Sequence, residues 1–148
     1  MDIINFLDFP CIVKIIYGIN KEFGLCSGNK FYKWISNFIK EKTGNPNSTF
    51  KDVYIQKEDK GFRDMYFIGT NLSTGFAEVF SYKHTPTKSV ADAVRISMSY
   101  PIVFTAKKNS RGDVYVDGGL LNNYPIRLFD RKKYITSAGY FEEPEYYK

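Results

Sequence analysis

Cysteine and histidine are almost missing from this chain. Of its 148 residues two are cysteine, Cys11 and Cys26, and one is histidine, His84. The two cysteines form neither a metal-ligand spacing nor a disulfide framework, so no metal and no cofactor is expected. Their scarcity points to a reducing compartment. Basic residues are missing from the opening Met1-Asp2-Ile3-Ile4-Asn5, which therefore lacks the n-region of a secretory signal. No apolar run approaches the ~18 residues required to span a bilayer. A soluble chain is expected, cytoplasmic by default, with no internal repeats and no long linkers.

Aromatic residues, by contrast, are abundant. They make up 18% of the chain, with 13 Phe and 12 Tyr. The length fits one domain able to bury a core. The formal charge of +5 is a mild basic excess. It would favour an anionic partner such as a membrane surface or nucleic acid, although an ordinary solvated surface explains it as well.

Local patterns divide the chain into alternating helices and strands. Residues 3–17 read as two short helical pieces, with Pro10 in the first turn of the second. Phe31, Trp34, Ile35, Phe38 and Ile39 fall on one apolar stripe against a lysine-rich face. Ser27 or Asn29 can cap this helix, and Gly44 and Pro46 stop it. Residues 65–68 form a continuous apolar run of the kind a strand buried on both faces carries. Residues 71–75 are turn chemistry, and 76–82 a returning strand. Ser89 and Asp92 form a capping box that opens a helix with Val90, Ala93, Val94 and Ser97 on its buried face. Val103-Phe104 is a short strand or turn, 107–113 a polar loop and 114–116 a strand. The class is α/β. The strands are few for so much helix, which predicts an incomplete sheet with an exposed apolar edge beside residues 65–68.

The strand at 114–116 delivers Asp117 to its end, followed at once by Gly118 and Gly119. Ligands of open α/β sheets sit at such rims. The glycines allow a sharp turn and remove side chains that would shield the acid. An Asx-type turn is the plainer reading of the same residues. His84 lies in a polar loop and reads as exposed.

Val116-Asp117-Gly118-Gly119-Leu120-Leu121-Asn122-Asn123-Tyr124-Pro125 resembles the Asp-Gly-Gly/Ala signature of the patatin-like phospholipase family and the turn after it. Residues 89–101 resemble the helix that this family places before its catalytic Asp. Residues 68–75 are similar to the strand and hairpin ahead of that helix, and Gly24-Leu25-Cys26-Ser27-Gly28 fits the family's middle region. The resemblance implies a partial three-layer α/β sandwich with an incomplete central sheet. Residues 1–138 would be the C-terminal portion of the domain and 139–148 a polar tail. It also implies a lipid acyl hydrolase whose base is Asp117 in a Ser–Asp dyad, supported by Gly118 and Gly119, acting on a lipid or membrane-surface substrate. Such chemistry works without histidine, because a carboxylate can take the proton of an attacking hydroxyl.

The family's Gly-x-Ser-x-Gly elbow and glycine-rich oxyanion loop have no counterpart in this sequence. The chain is thus expected to hold a base without a nucleophile and to be inactive alone. The alternative is a non-enzymatic lipid- or partner-binding remnant, able to complement an upstream fragment in trans. No nucleic-acid partner is expected. Cys26 in Gly24-Leu25-Cys26-Ser27-Gly28 is a thiol version of the elbow, but residues 19–23 do not read as the buried strand an elbow needs. Ser97 and Ser99 close a helix and so lack N-terminal amides for an oxyanion. They read as lining a pocket or capping a turn. Arg111-Gly112-Asp113 in a hairpin loop carries little meaning, and the sequons at Asn47 and Asn71 matter only with a secretory signal. Lys107, Lys108, Arg111, Arg131, Lys132 and Lys133 flank Asp117 and, on one face, would meet anionic headgroups at about 1 kcal/mol each.

Overall fold

The computed structural model describes residues 24–129. The helical pieces expected over 3–17, the tail over 139–148, Cys11 and the basic run Arg131, Lys132 and Lys133 lie outside the described residues. The elements run β1 (Gly24–Cys26), α1 (Asn29–Thr43), α2 (Phe50–Ile55), α3 (Lys57–Lys60), β2 (Phe67–Asn71), β3 (Phe76–Phe80), α4 (Val90–Ser97), β4 (Ile102–Phe104), β5 (Lys107–Lys108), β6 (Val114–Asp117) and α5 (Gly119–Asn122). A 3₁₀ turn, Ile126–Leu128, follows. The architecture is mixed α/β and open.

Four strands form one antiparallel sheet in the order β3-β2-β6-β5, and β1 pairs with β4 in a separate parallel ribbon. The apolar edge expected beside residues 65–68 does not exist. The strand starts at Phe67, and β2 is bonded on one side to β3 and on the other to β6. The outermost strand beyond β6 is β5, whose residues are Lys107 and Lys108. Lysines on a short edge strand discourage further pairing, so this margin is blunted rather than sticky.

The core lies between the helices and one sheet face. Ile39 of α1, Phe50 and Val53 of α2, Val90, Ala93 and Ile96 of α4, Phe80 of β3 and Tyr115 of β6 make up its centre. Two expectations hold only in part here. The α1 stripe is rotated: Ser36 and Ile39 are buried, whereas Trp34 and Phe38 are exposed. In α4, Val90 and Ala93 are buried as expected and Val94 packs half-buried against the core. Ala91, Arg95 and Ile96 are buried as well, however, and Ser97 only partly, because this helix is enclosed on nearly all sides.

The capping boxes also fall differently. Ser89 makes no side-chain cap bond. Its Asp92 is drawn instead to Lys107 at 3.1 Å. The reciprocal box forms one helix earlier, where Thr49 Oγ1 accepts from Asp52 N–H at 3.2 Å and Thr49 N–H donates to Asp52 at 2.8 Å. Both helix starts are tied together: Phe50 N–H donates to Lys88 O and Val90 N–H to Ser48 O, at 3.2 and 3.0 Å.

Candidate active site

Asp117 ends β6, and its carboxylate is half-buried at the rim of the antiparallel sheet. Its backbone is fixed from two directions. It stands opposite Gly69 of β2, and its N–H donates to Ser99 O at 2.9 Å. Among the described residues no hydrogen-bond or ion-pair partner engages the carboxylate itself. A side chain so placed is restrained in position yet keeps its acceptor oxygens available.

The two glycines act by close approach, not by unusual backbone angles. Gly118 has φ −65° and ψ −26°, which any residue adopts. A Cβ there would lie 2.5 Å from Ile68 O, so only a bare Cα lets β6 pass against β2. A Cβ on Gly119 would lie 2.8 Å from Asp117 Oδ2 and 3.0 Å from Asn123 Oδ1. Gly119 therefore lets the Asp117 carboxylate and the Asn123 amide close in on its bare Cα. The chain then turns into α5, with Asn122 N–H donating to Gly118 O at 2.9 Å.

Arg95 is the residue that sequence reading missed. It is 3% exposed, yet it carries a guanidinium. Nη1 donates to Ser99 Oγ, and Nη2 donates to Ser27 O at 2.7 Å and Thr105 O at 2.9 Å. The guanidinium also lies 5.9 Å from the Phe104 ring centre. Burial pulls its pKa down, although an arginine keeps its proton throughout the physiological range. One side chain thus pins the end of β1, the segment after β4 and the end of α4. Ser99, which returns a bond to Arg95 O at 2.7 Å, passes that order to the Asp117 backbone. A basic residue between Val94 and Ile96 in an otherwise apolar stretch was the available signal.

A second buried network crosses the sheet. Tyr115 Oη donates to the Glu78 carboxylate at 3.0 Å, and Asn71 Nδ2 donates to Glu78 at 2.8 Å. Burial first, and then the Glu78 carboxylate, push the Tyr115 hydroxyl pKa up. Lys88 lies 4.8 Å from the Phe80 ring centre, and its burial pulls the ammonium pKa down. Asn71 is so enclosed that its sequon is unusable.

The other candidates do not gather around Asp117. Cys26 is exposed at the end of β1, which is three residues long and has Leu25 exposed, not the buried strand of an elbow. Ser99 is buried and bonded to Arg95. His84 is exposed, with Nδ1 2.8 Å from Ser81 Oγ. Asp113 accepts from Asn109 Nδ2 at 2.7 Å within its hairpin. Among the described residues no group of three or more His, Cys, Asp or Glu could hold a metal ion. Nor is any helix among them long and apolar enough to cross a membrane.

Two curated relatives and one family profile place the chain. It is 34% identical over 114 residues to the uncharacterized protein R571 of Acanthamoeba polyphaga mimivirus, a match covering 77% of this chain and 35% of that protein. It is 30% identical over 107 residues to the probable lipid hydrolase 463L of Invertebrate iridescent virus 6, covering 72% and 35% respectively. The chain thus spans about a third of the length of these curated relatives. A crystal structure of VipD from Legionella pneumophila superposes on 53% of this chain and 15% of its own, at 27% identity and a TM-score of 0.49. The profile of the patatin-like phospholipases matches residues 5–130, and the chain belongs to that family.

Proposed function

We propose that this chain carries the general base of a lipid acyl hydrolase, Asp117 of a Ser–Asp dyad, and that the serine elbow and oxyanion loop are supplied from outside residues 1–148. The observation that carries the reading is the Asp117 carboxylate, restrained by its backbone, unengaged by any described side chain and lying against the bare Cα of Gly119. In the reaction, the serine hydroxyl would give its proton to this carboxylate as Oγ bonds to the ester carbonyl. Collapse of the tetrahedral intermediate expels the alcohol, which takes that proton back. Water then repeats the sequence on the acyl-enzyme and releases the fatty acid.

Purified chain should therefore fail to turn over a p-nitrophenyl ester. It should gain activity only with a segment bearing Gly-x-Ser-x-Gly, and lose it on Asp117→Asn. Turnover by the chain alone that disappears in Asp117→Asn overturns the proposal. Turnover sensitive to alkylation and lost in Cys26→Ser would assign the chemistry to the thiol instead.

A second reading is a non-enzymatic lipid- or partner-binding remnant. It is favoured by the residues after Asp117: Leu120, Leu121, Tyr124 and Ile126 are all exposed, Tyr124 to 78%. Apolar surface of that kind marks a place for another apolar partner. Binding that survives Asp117→Asn, without activity in any combination of segments, would select this reading.

A further inference from the structure

We infer that the outer face of α1 is a docking surface for a bilayer containing anionic lipid. Phe31, Trp34 and Phe38 follow one another along the helix and stand side by side. Phe31 and Trp34 have ring centres 5.6 Å apart and a tilted geometry, and Trp34 stacks on Phe38 at 6.2 Å. Trp34 is 61% exposed and Phe38 46%, although Ile39 on the same helix is in the core. A helix that needed only to pack would carry polar residues all round its outer face, yet here Trp34 and Phe38 stand exposed among the lysines with the half-buried Phe31 beside them. Phe38 also borders a groove of about 280 Å³ lined by Val53, Phe62 and Met65, with Lys42 and Arg63 beside it, so the apolar surface continues past the helix. Charge selects the occupant. Along α1 four lysines, Lys30, Lys33, Lys40 and Lys42, stand against one acid, Glu41. Lys42 Nζ lies 5.6 Å from the Phe38 ring centre, where its stem can lie along the ring while the ammonium reaches a headgroup. Aromatic rings at headgroup depth with lysines around them are the composition of an interfacial helix. The helix starts after Ser27 and Gly28, which lie against Arg95, so α1 is anchored to the same Arg95 and Ser99 junction that holds the Asp117 backbone. The surface deepens the lipid-hydrolase reading by naming where substrate is met, but its test does not depend on turnover.

Trp34 is the chain's single tryptophan and reports directly on this face. Vesicles of phosphatidylcholine with a third phosphatidylglycerol should shift its emission to the blue and carry the chain down on sedimentation. Neutral vesicles, or high salt with the mixed ones, should do so less well. Phe31→Ser and Phe38→Ser, at positions outside the core, should each weaken partitioning on the order of tenfold with an unchanged thermal melt. No blue shift, or partitioning unaffected by both substitutions, overturns the inference. So does a vesicle-independent shift that the same substitutions abolish together with a dimer, since the face would then belong to a second copy. Failure of every hydrolysis assay leaves a positive vesicle result standing. Conversely, a chain activated by a serine-bearing segment but silent to vesicles keeps the dyad and loses this surface.

Discussion

Replacing Arg95 by methionine tests whether one buried cation organises the junction behind Asp117. The thioether keeps most of the stem volume and removes every donor. Three acceptors lose their guanidinium partners: Ser27 O, Thr105 O and Ser99 Oγ. A hydrogen bond to a charged group contributes about 1.5–3 kcal/mol, so the gross loss is several kcal/mol. Against this stands the relief of an expensive desolvated charge, which among the described residues has no carboxylate to pair with. The orphaned carbonyls remain in place, so the net cost should be about 3 kcal/mol, a large share of the 5–15 kcal/mol that holds a domain together. Arg95→Lys should fall between, because a compact ammonium cannot span all three acceptors. Urea unfolding at neutral pH followed by far-UV circular dichroism gives the difference from the midpoint at constant slope. Gly28 supplies an internal check. A Cβ there would lie 2.5 Å from Arg95 Nε, on a backbone with φ +66°. Gly28→Ala should therefore cost less in the Arg95→Met background than in the native chain, a coupling that a double-mutant cycle isolates. If Arg95→Met stays within about 0.5 kcal/mol of the native chain, surface-like behaviour is all the residue has, and the organising role is refuted.

Two further outcomes follow from the same geometry. Gly118→Ala places a Cβ against Ile68 O and should lower stability by about 1–3 kcal/mol in a thermal melt, because β2 and β6 cannot separate without breaking their ladder. The Asp52 carboxylate is held below its ordinary pKa by the Thr49 N–H and hydroxyl. A group whose folded pKa is depressed gives stability that is complete above its unfolded pKa and lost as pH falls through the folded one. Asp52→Asn should accordingly destabilise at pH 7 and flatten the acid limb of a stability-against-pH curve. An acid limb of unchanged steepness would deny Asp52 a part in it.

Much of the helical content is legible in the sequence, but the faces are not. The repeat of Phe31, Trp34, Ile35, Phe38 and Ile39 announces α1 unambiguously. It cannot say which part of so wide a stripe faces inward. Packing against α4 decides that, and it selects the side bearing Ser36 and Ile39, leaving the larger rings outside. The capping boxes teach the same lesson. Thr49 with Asp52 and Ser89 with Asp92 have one spacing and near-equal chemistry. Only the first closes, since Lys107, distant in sequence, claims the second carboxylate at 3.1 Å.

At the candidate site the division is sharper. Asp117, Gly118 and Gly119 are contiguous, and a contiguous motif can be read from a sequence without knowing the fold. What holds Asp117 is not contiguous. Ser27, Thr105 and the Arg95–Ser99 pair come from three separate places and meet only because β1 pairs with β4 and α4 runs back toward the rim. The glycine reasoning fails for the same cause. A turn explains two glycines locally, but the real constraint at Gly118 is the Ile68 carbonyl, brought there from the neighbouring strand. A substitution series separates the two accounts. If the demand were conformational, alanine and serine at 118 would be tolerated at φ −65°, where neither is strained. Because the demand is steric, every Cβ is refused alike, and the motif marks how closely two strands pass as much as where an acid stands.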